Sequence, residues 1–333
     1  MKKRILTGDR PTGPLHLGHY VGSLQNRVRL QNEYDCYFII ADYQILTDHL
    51  YETQRVENNV KSIVLDWLSM GMNPEKSTFF IQSRIPAIAE LMMYFSMMVT
   101  IPRLQRNPTV KEEFNTSHLR SMSYGFLGYP VSQAADILSV RAHLVPIGDD
   151  NLPHVEQTRE IARFFNTTFA NVFPIPEPLL GNVPRLPGLD GQKMGKSLGN
   201  AIYLNDSPQE IKQKVKAAIT DPARIRVTDA GHPEVCVIFQ YHLAVNQAES
   251  TNLGAFCRQG KIGCVECKQK AASKIITSLA PIGEKRLEYE GKLSIVRETL
   301  QAGIDKTIKE SEATLALVRE AMHFDYQTMF SST

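Results

Sequence analysis

Short apolar runs alternate with amphipathic stretches through the first half of this chain, and that rhythm narrows its fold more than any other feature. A run at residues 3–8, containing Ile5-Leu6-Thr7, leads into a helix from about Gly18 to Gln31. Cys36-Tyr37-Phe38-Ile39-Ile40-Ala41 comes next, then a helix from about Tyr51 to Met70, then Thr78-Phe79-Phe80-Ile81-Gln82. Apolar runs of strand length separated by helix-length segments read as βαβαβ, a parallel sheet covered by helices on both faces. A chain of 333 residues, 43% of them hydrophobic, can bury a sizeable core and divide into about two domains.

Residues 86–140 interrupt the rhythm with a Met-rich stretch (Met92, Met93, Met97, Met98) and a more polar piece at 103–118, which reads as a helical insertion. Methionines at helical spacing serve a core or a subunit interface. His143-Leu144-Val145-Pro146 then reads as a strand and residues 153–165 as a helix. After residue 200 the pattern is helical throughout. Ser207-Pro208-Gln209-Glu210 is a capping box with proline at the first helical position, opening a helix through Thr220. Further helices are expected at 266–280, 283–302 and 308–322. The expected fold class is α/β: a Rossmann-like, doubly wound parallel sheet with a helical insertion, followed by an all-helical C-terminal domain. The expected domains are 1–200 and 201–333.

Two segments carry phosphate chemistry. Residues 11–22, Pro-Thr-Gly-Pro-Leu-His-Leu-Gly-His-Tyr-Val-Gly, leave the first strand, turn at Pro11 and Gly13, and open a helix. The free N–H groups and positive dipole end of such a helix hold phosphate. His16 and His19 stand three apart on one face and can donate to phosphate oxygens, while Gly18 lets a nucleoside approach. About 175 residues later, Lys193-Met194-Gly195-Lys196-Ser197 puts two ammonium groups in a loop beside Gly188, Gly191 and Gly199, suited to the β and γ phosphates of ATP with Mg2+ sharing the charge. A third segment, Gly148-Asp149-Asp150-Asn151, follows a strand and starts a helix, where open α/β sheets bind ligands. Asp150 suits ribose hydroxyls and Asn151 an amino-acid head group.

A net charge of +2 neither supports nor excludes a nucleic-acid partner, so any RNA contact must come from local basic faces. Met1-Lys2-Lys3-Arg4 runs into Thr7, Gly8, Asp9 and Arg10 instead of a long apolar stretch, so no signal peptide is expected. No span is long and apolar enough to cross a membrane. The expected compartment is the cytoplasm, where five cysteines are not a disulfide framework. Cys36 reads as core. Cys236, Cys257, Cys264 and Cys267, spaced C-x20-C-x6-C-x2-C, suggest a metal site, either tetrahedral Zn2+ or a [4Fe–4S] cluster.

The three motifs, with Gly128-Tyr129-Pro130-Val131-Ser132-Gln133-Ala134-Ala135-Asp136 before the third, resemble the bacterial tryptophanyl-tRNA synthetases of class I over essentially the full length. The resemblance implies a homodimer that activates L-tryptophan with ATP and transfers it to tRNA(Trp). On matching positions it implies ATP contacts at Arg10, Pro11, Thr12, Gly18, His19, Gly148, Asp149, Asp150, Leu186 and the 193–197 loop, and catalytic roles for His16, His19, Lys193 and Lys196. Asp136 becomes the acceptor for the indole N–H, with Leu6 an apolar wall and Tyr129, Gln133 and Asn151 as further tryptophan contacts. Tyr129-x3-Gln133-x2-Asp136 also resembles the substrate helix of tyrosyl enzymes, but an indole is a donor only and needs a single acceptor. The alternatives are a tyrosine enzyme and a non-catalytic RNA-binding protein on a degenerate synthetase fold. Gly195 stands where the family has serine, and Asn151 where it has glutamine.

A subset of these enzymes carries a similar four-cysteine pattern binding [4Fe–4S] near the anticodon-reading surface. That implies a structural cluster holding Arg258, Lys261 and Lys268 towards RNA. Lys212, Lys214, Lys216, Arg224 and Arg226 form a second candidate RNA face.

Overall fold

The computed structural model describes residues 2–117, 119–180, 186–195, 198–326 and 329. Five parallel strands form one sheet: β1 Arg4–Asp9, β2 Asp35–Ile40, β3 Ser77–Ile81, β4 Leu144–Ile147 and β5 Glu177–Leu180. Their order is β3-β2-β1-β4-β5. Register runs from Arg4 opposite Asp35 to Asp9 opposite Ile40, with Cys36 opposite Ser77 and Ile5 opposite Leu144. The winding therefore reverses between β1 and β4, and the carboxyl ends of these two strands open a crevice. β5 carries no expectation from the sequence because Pro178 punctuates it; an edge strand tolerates the missing N–H.

The helix expected at 18–31 forms in three pieces: α1 Leu17–His19, a π turn at Tyr20–Leu24, and α2 Gln25–Leu30. α3, Val56–Ser69, crosses to β3. The insertion is helical as expected, with α4 Pro86–Ser96, α5 Ile101–Gln105, α6 Pro108–Thr116 and α7 Tyr124–Ser139. Met93 and Met97 on and just beyond α4 are exposed, so the methionine stripe is not a core feature throughout. α8, Leu152–Thr168, leads to β5.

α9 Pro208–Ala217, α10 Val237–Val245, α11 Gln247–Arg258, α12 Cys264–Glu290 and α13 Ser294–Ala321 follow. The capping box at Ser207 forms as expected: the Ser207 N–H donates to Glu210 at 2.7 Å and the Glu210 N–H to the Ser207 hydroxyl at 3.3 Å. The three terminal helices expected from the sequence are two. α12 runs through Pro281, and the break falls at Gly291 instead. α13 runs through Gly303, which is no helix stop. A Cβ there would stand 1.9 Å from the Phe79 carbonyl oxygen, so glycine lets α13 lie directly on β3.

The core is built around Trp67 of α3, whose ring meets Phe38 at 6.1 Å and Phe79 at 5.4 Å. Its indole N–H donates to Asp9 at 3.0 Å, and Arg27 grips the same carboxylate with two bonds of 2.7 and 3.1 Å. Burial alone would push the Asp9 carboxyl up; the charges of Arg27 and His19, with the bonds from Arg27 and Trp67, bring it down to about 2. Cys36 is fully buried, as expected, and burial pushes its thiol up to about 12.

A carboxyl whose folded pKa is depressed stabilises the fold above its unfolded value and loses that contribution as pH falls through the folded one. Acid unfolding should therefore steepen between about pH 4 and about pH 2. Arg27→Met, which strands a buried carboxylate, should lower the unfolding free energy by about 3–5 kcal/mol in urea titrations at pH 7.

Candidate functional site

The crevice between β1 and β4 holds a cavity of about 300 Å³. Its walls come from the ends of β1 (Leu6 to Arg10) and β4 (Val145 to Gly148), from Gly22, Ser23 and Arg27 beside the π turn, and from Gln133 and Asp136 of α7. The π turn widens one helical turn, and its Gly22 and Ser23 lie on that wall. Of the residues expected to contact an amino-acid substrate, Leu6, Gln133, Asp136 and Asn151 line this cavity.

Tyr129 does not. It lines a second cavity, of about 320 Å³, with Tyr43, Ile88 and Met92, and touches His154, which lines the first. The Tyr129 hydroxyl lies 3.0 Å from His154 Nε2, and the rings meet edge to face. Tyr129 and Asp136, seven residues apart, share one face of α7 but stand about two turns, roughly 10 Å, apart along it, so a common face did not mean a common cavity.

Asp136 is 3% exposed and both its oxygens accept from Gln82 Nε2, at 2.8 and 2.9 Å. Burial pushes its carboxyl well above the usual range, Gln82 opposes that, and Asp42 adds to it. Gln82 carries no expectation from its sequence context. Its signal is position: it is the first residue past β3, at the carboxyl edge where parallel sheets hold ligands. Asp9, at the end of β1, shares that signal.

The two phosphate segments meet. His16 pairs antiparallel with Tyr203, the Leu17 N–H donates to the Ile202 carbonyl at 2.8 Å, and the Leu204 N–H to the Leu15 carbonyl at 3.0 Å. The His16 and His19 rings lie with centroids 3.8 Å apart and planes tilted by 44°, and the His16 N–H donates to His19 Nδ1 at 3.1 Å. A Cβ on Gly18 would stand 3.0 Å from the His16 ring and 3.3 Å from Met194 Sδ, so the glycine sits in close contact with both segments. Met194 and Leu186 are buried beneath the lysine loop, while Lys193 is exposed.

Asn200 organises that loop. It donates to Asp190 at 2.8 Å and to the Lys193 carbonyl at 3.1 Å, and accepts from the Gly195 N–H at 2.9 Å. Lys196 and Ser197 lie outside the described residues, as does the side chain of Asp149. Gly148 ends β4 and a Cβ on it would stand 3.0 Å from Asp150, whose carboxylate accepts from Asn151 at 3.1 Å. Arg10 lines the cavity and is held by Asp48 and the Gln44 carbonyl. The Pro11 carbonyl accepts from Asn59 at 2.8 Å, and Thr12 follows in the same turn, its N–H donating to the Arg10 carbonyl at 2.8 Å.

Far along the chain, Cys236 precedes α10, Cys257 lies near the end of α11, and Cys264 and Cys267 occupy the first turn of α12. All four thiols are unlinked. Burial pushes Cys267 up to about 12, and the charges of Cys236, Cys257 and Cys264 add to it, so the four feel one another. Burial also raises Cys257, opposed by Arg224, whose guanidinium lies 3.7 Å from its sulfur; His242 Nε2 is 3.4 Å from Cys267 Sγ. Among the described residues, no group of three or more His, Cys, Asp or Glu side chains is arranged to hold a metal ion.

The basic face expected over 212–226 is partly consumed inside the fold. Lys214 pairs with Asp206 over the Tyr203 ring, and Arg224 donates to the Val227 and Ile262 carbonyls.

Residues 1–280 match the family described as tRNA synthetases class I (W and Y). The chain is 44% identical over 324 residues to a tryptophan–tRNA ligase of Treponema pallidum, covering 96% of each chain. It is 45% identical over 337 residues to one from Streptococcus pyogenes serotype M3, covering 98% of this chain and 99% of that one. Among solved structures it is similar to the tryptophanyl-tRNA synthetase of Campylobacter jejuni complexed with ADP and tryptophan. That likeness has a TM-score of 0.83 at 29% identity, over 96% of this chain and 99% of that chain.

Burial pushes His154 down to about 4, so its ring is neutral at pH 7. A histidine held below its unfolded value of 6.5 costs stability on acidification. The unfolding free energy should therefore fall as pH drops from about 6.5 towards 4, by on the order of 3 kcal/mol. His154→Gln, which keeps a partner for Tyr129, should flatten that slope in urea titrations.

Proposed function

The chain belongs to the class I tRNA synthetases for tryptophan and tyrosine and is a tryptophan–tRNA ligase, and we propose that Asp136 is the side chain that selects tryptophan in it. The observation that carries this reading is a buried carboxylate, held by Gln82, on the wall of a cavity whose β1 side includes the apolar Leu6. An indole offers one N–H and needs one acceptor. The partnership favours tryptophan over tyrosine, whose phenol would ask for a second polar group where Leu6 stands.

Activation joins a carboxylate oxygen of tryptophan to the α-phosphorus of ATP and breaks the bond to pyrophosphate. The tRNA terminal hydroxyl then attacks the acyl carbon and AMP leaves. The nucleophile arrives already ionised, so the protein's task is alignment and charge neutralisation. His16 and His19 donate to phosphate oxygens at the head of α1, and Gly18 gives the nucleotide room beside them. Leu186 and Met194 flank the adenine side, Gly148 and Asp150 the ribose, and Arg10 with Pro11 and Thr12 the phosphates. Lys193 and Lys196 neutralise the departing pyrophosphate, with Gly195 and Ser197 shaping their loop. Mg2+ bound to the phosphates would share that charge. Gln133 and Asn151 face the amino-acid end of the cavity, and Tyr129 acts on it through His154. The ADP and tryptophan held by the similar Campylobacter jejuni protein support this placement.

Cys236, Cys257, Cys264 and Cys267 form a donor set suited to a thiophilic centre, and we read it as a [4Fe–4S] site in preference to Zn2+. Four unlinked thiols within electrostatic reach of one another support that, as do the Arg224 and His242 donors beside them. The cluster would tie α10, α11 and α12 together and so present Arg258, Lys261 and Lys268 to tRNA. Exposed Met93, Met97 and Ile101, on and after α4, support a homodimer that covers them. The unpaired thiols fit the cytoplasm. Among the described residues, no helix is long and apolar enough to cross a membrane.

ATP–pyrophosphate exchange tests the selector. Asp136→Ala should cut kcat/KM for tryptophan by about 10- to 150-fold, the worth of a hydrogen bond to a charged group, and narrow the preference over phenylalanine. An unchanged preference would refute the role. Because the indole N–H bonds the ionised carboxylate, tryptophan binding releases a proton, and KM for tryptophan should rise as pH falls. Anaerobic purification should give a brown protein with about four iron and four sulfide per chain; a colourless protein with one zinc would overturn the cluster.

A further inference from the structure

We propose that Asn107, at the head of α6, is a positioning residue for tryptophan binding: it holds His154 as the neutral Nε2–H tautomer on the wall of the first cavity, and so fixes which way the His154–Tyr129 hydrogen bond runs. The proposal rests on the reading of that cavity as the tryptophan site.

Asn107 is wholly buried, and its side chain works in two directions. Its Oδ1 caps α6, accepting from the Thr109 N–H at 3.0 Å and the Val110 N–H at 3.4 Å. Backbone amides only donate, so the oxygen is fixed at that end and the NH2 faces His154, with Nδ2 3.4 Å from the ring Nδ1. An amide NH2 only donates as well, so Nδ1 must offer its lone pair. The neutral ring then carries its proton on Nε2, and that N–H donates to the Tyr129 hydroxyl oxygen at 3.0 Å. The Thr109 hydroxyl donates to the Asp150 carbonyl at 2.8 Å, which seats the head of α6 on the turn that opens α8.

Both ring nitrogens are thereby engaged within the protein, and His154 lines the first cavity as a neutral ring. A second proton would set an Nδ1–H against the Asn107 NH2, donor against donor. Burial opposes that proton too, while the charge of Asp150 favours it; Asn107 of α6 and Tyr129 of α7 face the ring as uncharged groups. Asp136 and His154 line the same cavity, so an imidazolium there would compete with the indole N–H for the carboxylate and repel the tryptophan ammonium. Asn107 lies 47 residues before His154, in the helical insertion, so the insertion decides the state of a residue beside the sheet.

Asn107→Asp separates a cap from a positioning residue. A carboxylate caps α6 as well as an amide does and is favoured by the helix dipole, but it can only accept, so it draws the proton onto Nδ1. Nitrogen NMR on the full-length chain, isotopically labelled at histidine, would be read at pH 7 beside thermal unfolding and ATP–pyrophosphate exchange, with His154 assigned by its loss in His154→Gln. The wild type should show a bare Nδ1 and a protonated Nε2; a protonated Nδ1 there would overturn the proposal with no variant needed. Asn107→Asp should leave Tm nearly unchanged, protonate Nδ1, and raise KM for tryptophan by about 10-fold with kcat within about threefold. An unchanged Nδ1, or an unchanged KM in the folded variant, would reduce Asn107 to a cap and overturn the proposal. Saturating tryptophan is the control: it should shift the His154 signals of the wild type, and their failure to move would refute the tryptophan reading of the cavity independently of the tautomer.

Discussion

Parallel strands can be joined only by crossovers, and a sheet that winds outward in both directions from β1 and β4 must leave the carboxyl ends of those two strands uncovered. Every feature of the site depends on that gap. Leu6 to Arg10 and Val145 to Gly148 reach it because they end adjacent strands, and α1 and α8 start beside it because each follows one of them. The cavity is a consequence of chain direction before it is a property of any side chain.

In and behind this gap the fold holds charges that burial would otherwise expel. Asp66 and Asp136 are buried, the side chain of Asp9 is nearly so, and each is held by a different means. Asp9 has the guanidinium of Arg27 and the indole of Trp67; Asp66 has the guanidinium of Arg286; Asp136, among the described residues, has the neutral amide of Gln82. The first two are neutralised within the protein and hold the frame. The third lacks a cation among its partners, which leaves its carboxylate available to a donor arriving with the substrate.

Local chemistry was readable where it repeats with a period or is confined to a motif. β1 to β4, the capping box at Ser207, the histidine turn and the lysine loop all fall where residues 3–8, 36–41, 78–82, 143–146, 207–210, 11–22 and 193–197 place them, the last as far as Gly195. Readings failed where a residue has two local meanings. β5 had no expected run and the helix expected at 283–302 stops short of Gly303, yet an edge strand tolerates Pro178 and a helix lying on β3 needs no Cβ at Gly303. Tyr129 shares a face of α7 with Asp136 but lies about two turns along it, at another cavity; Lys214 and Arg224 are cations used internally.

The sequence by itself determined the class of fold and the kinds of group available at the strand ends, because hydrophobic period, turns and motif chemistry act over a few residues. Only the tertiary structure decided which distant groups share a bond. Gln82 finds Asp136 across 54 residues and Arg286 finds Asp66 across 220. Such pairings are set by how helices pack over a twisted sheet, and no local pattern encodes the partner.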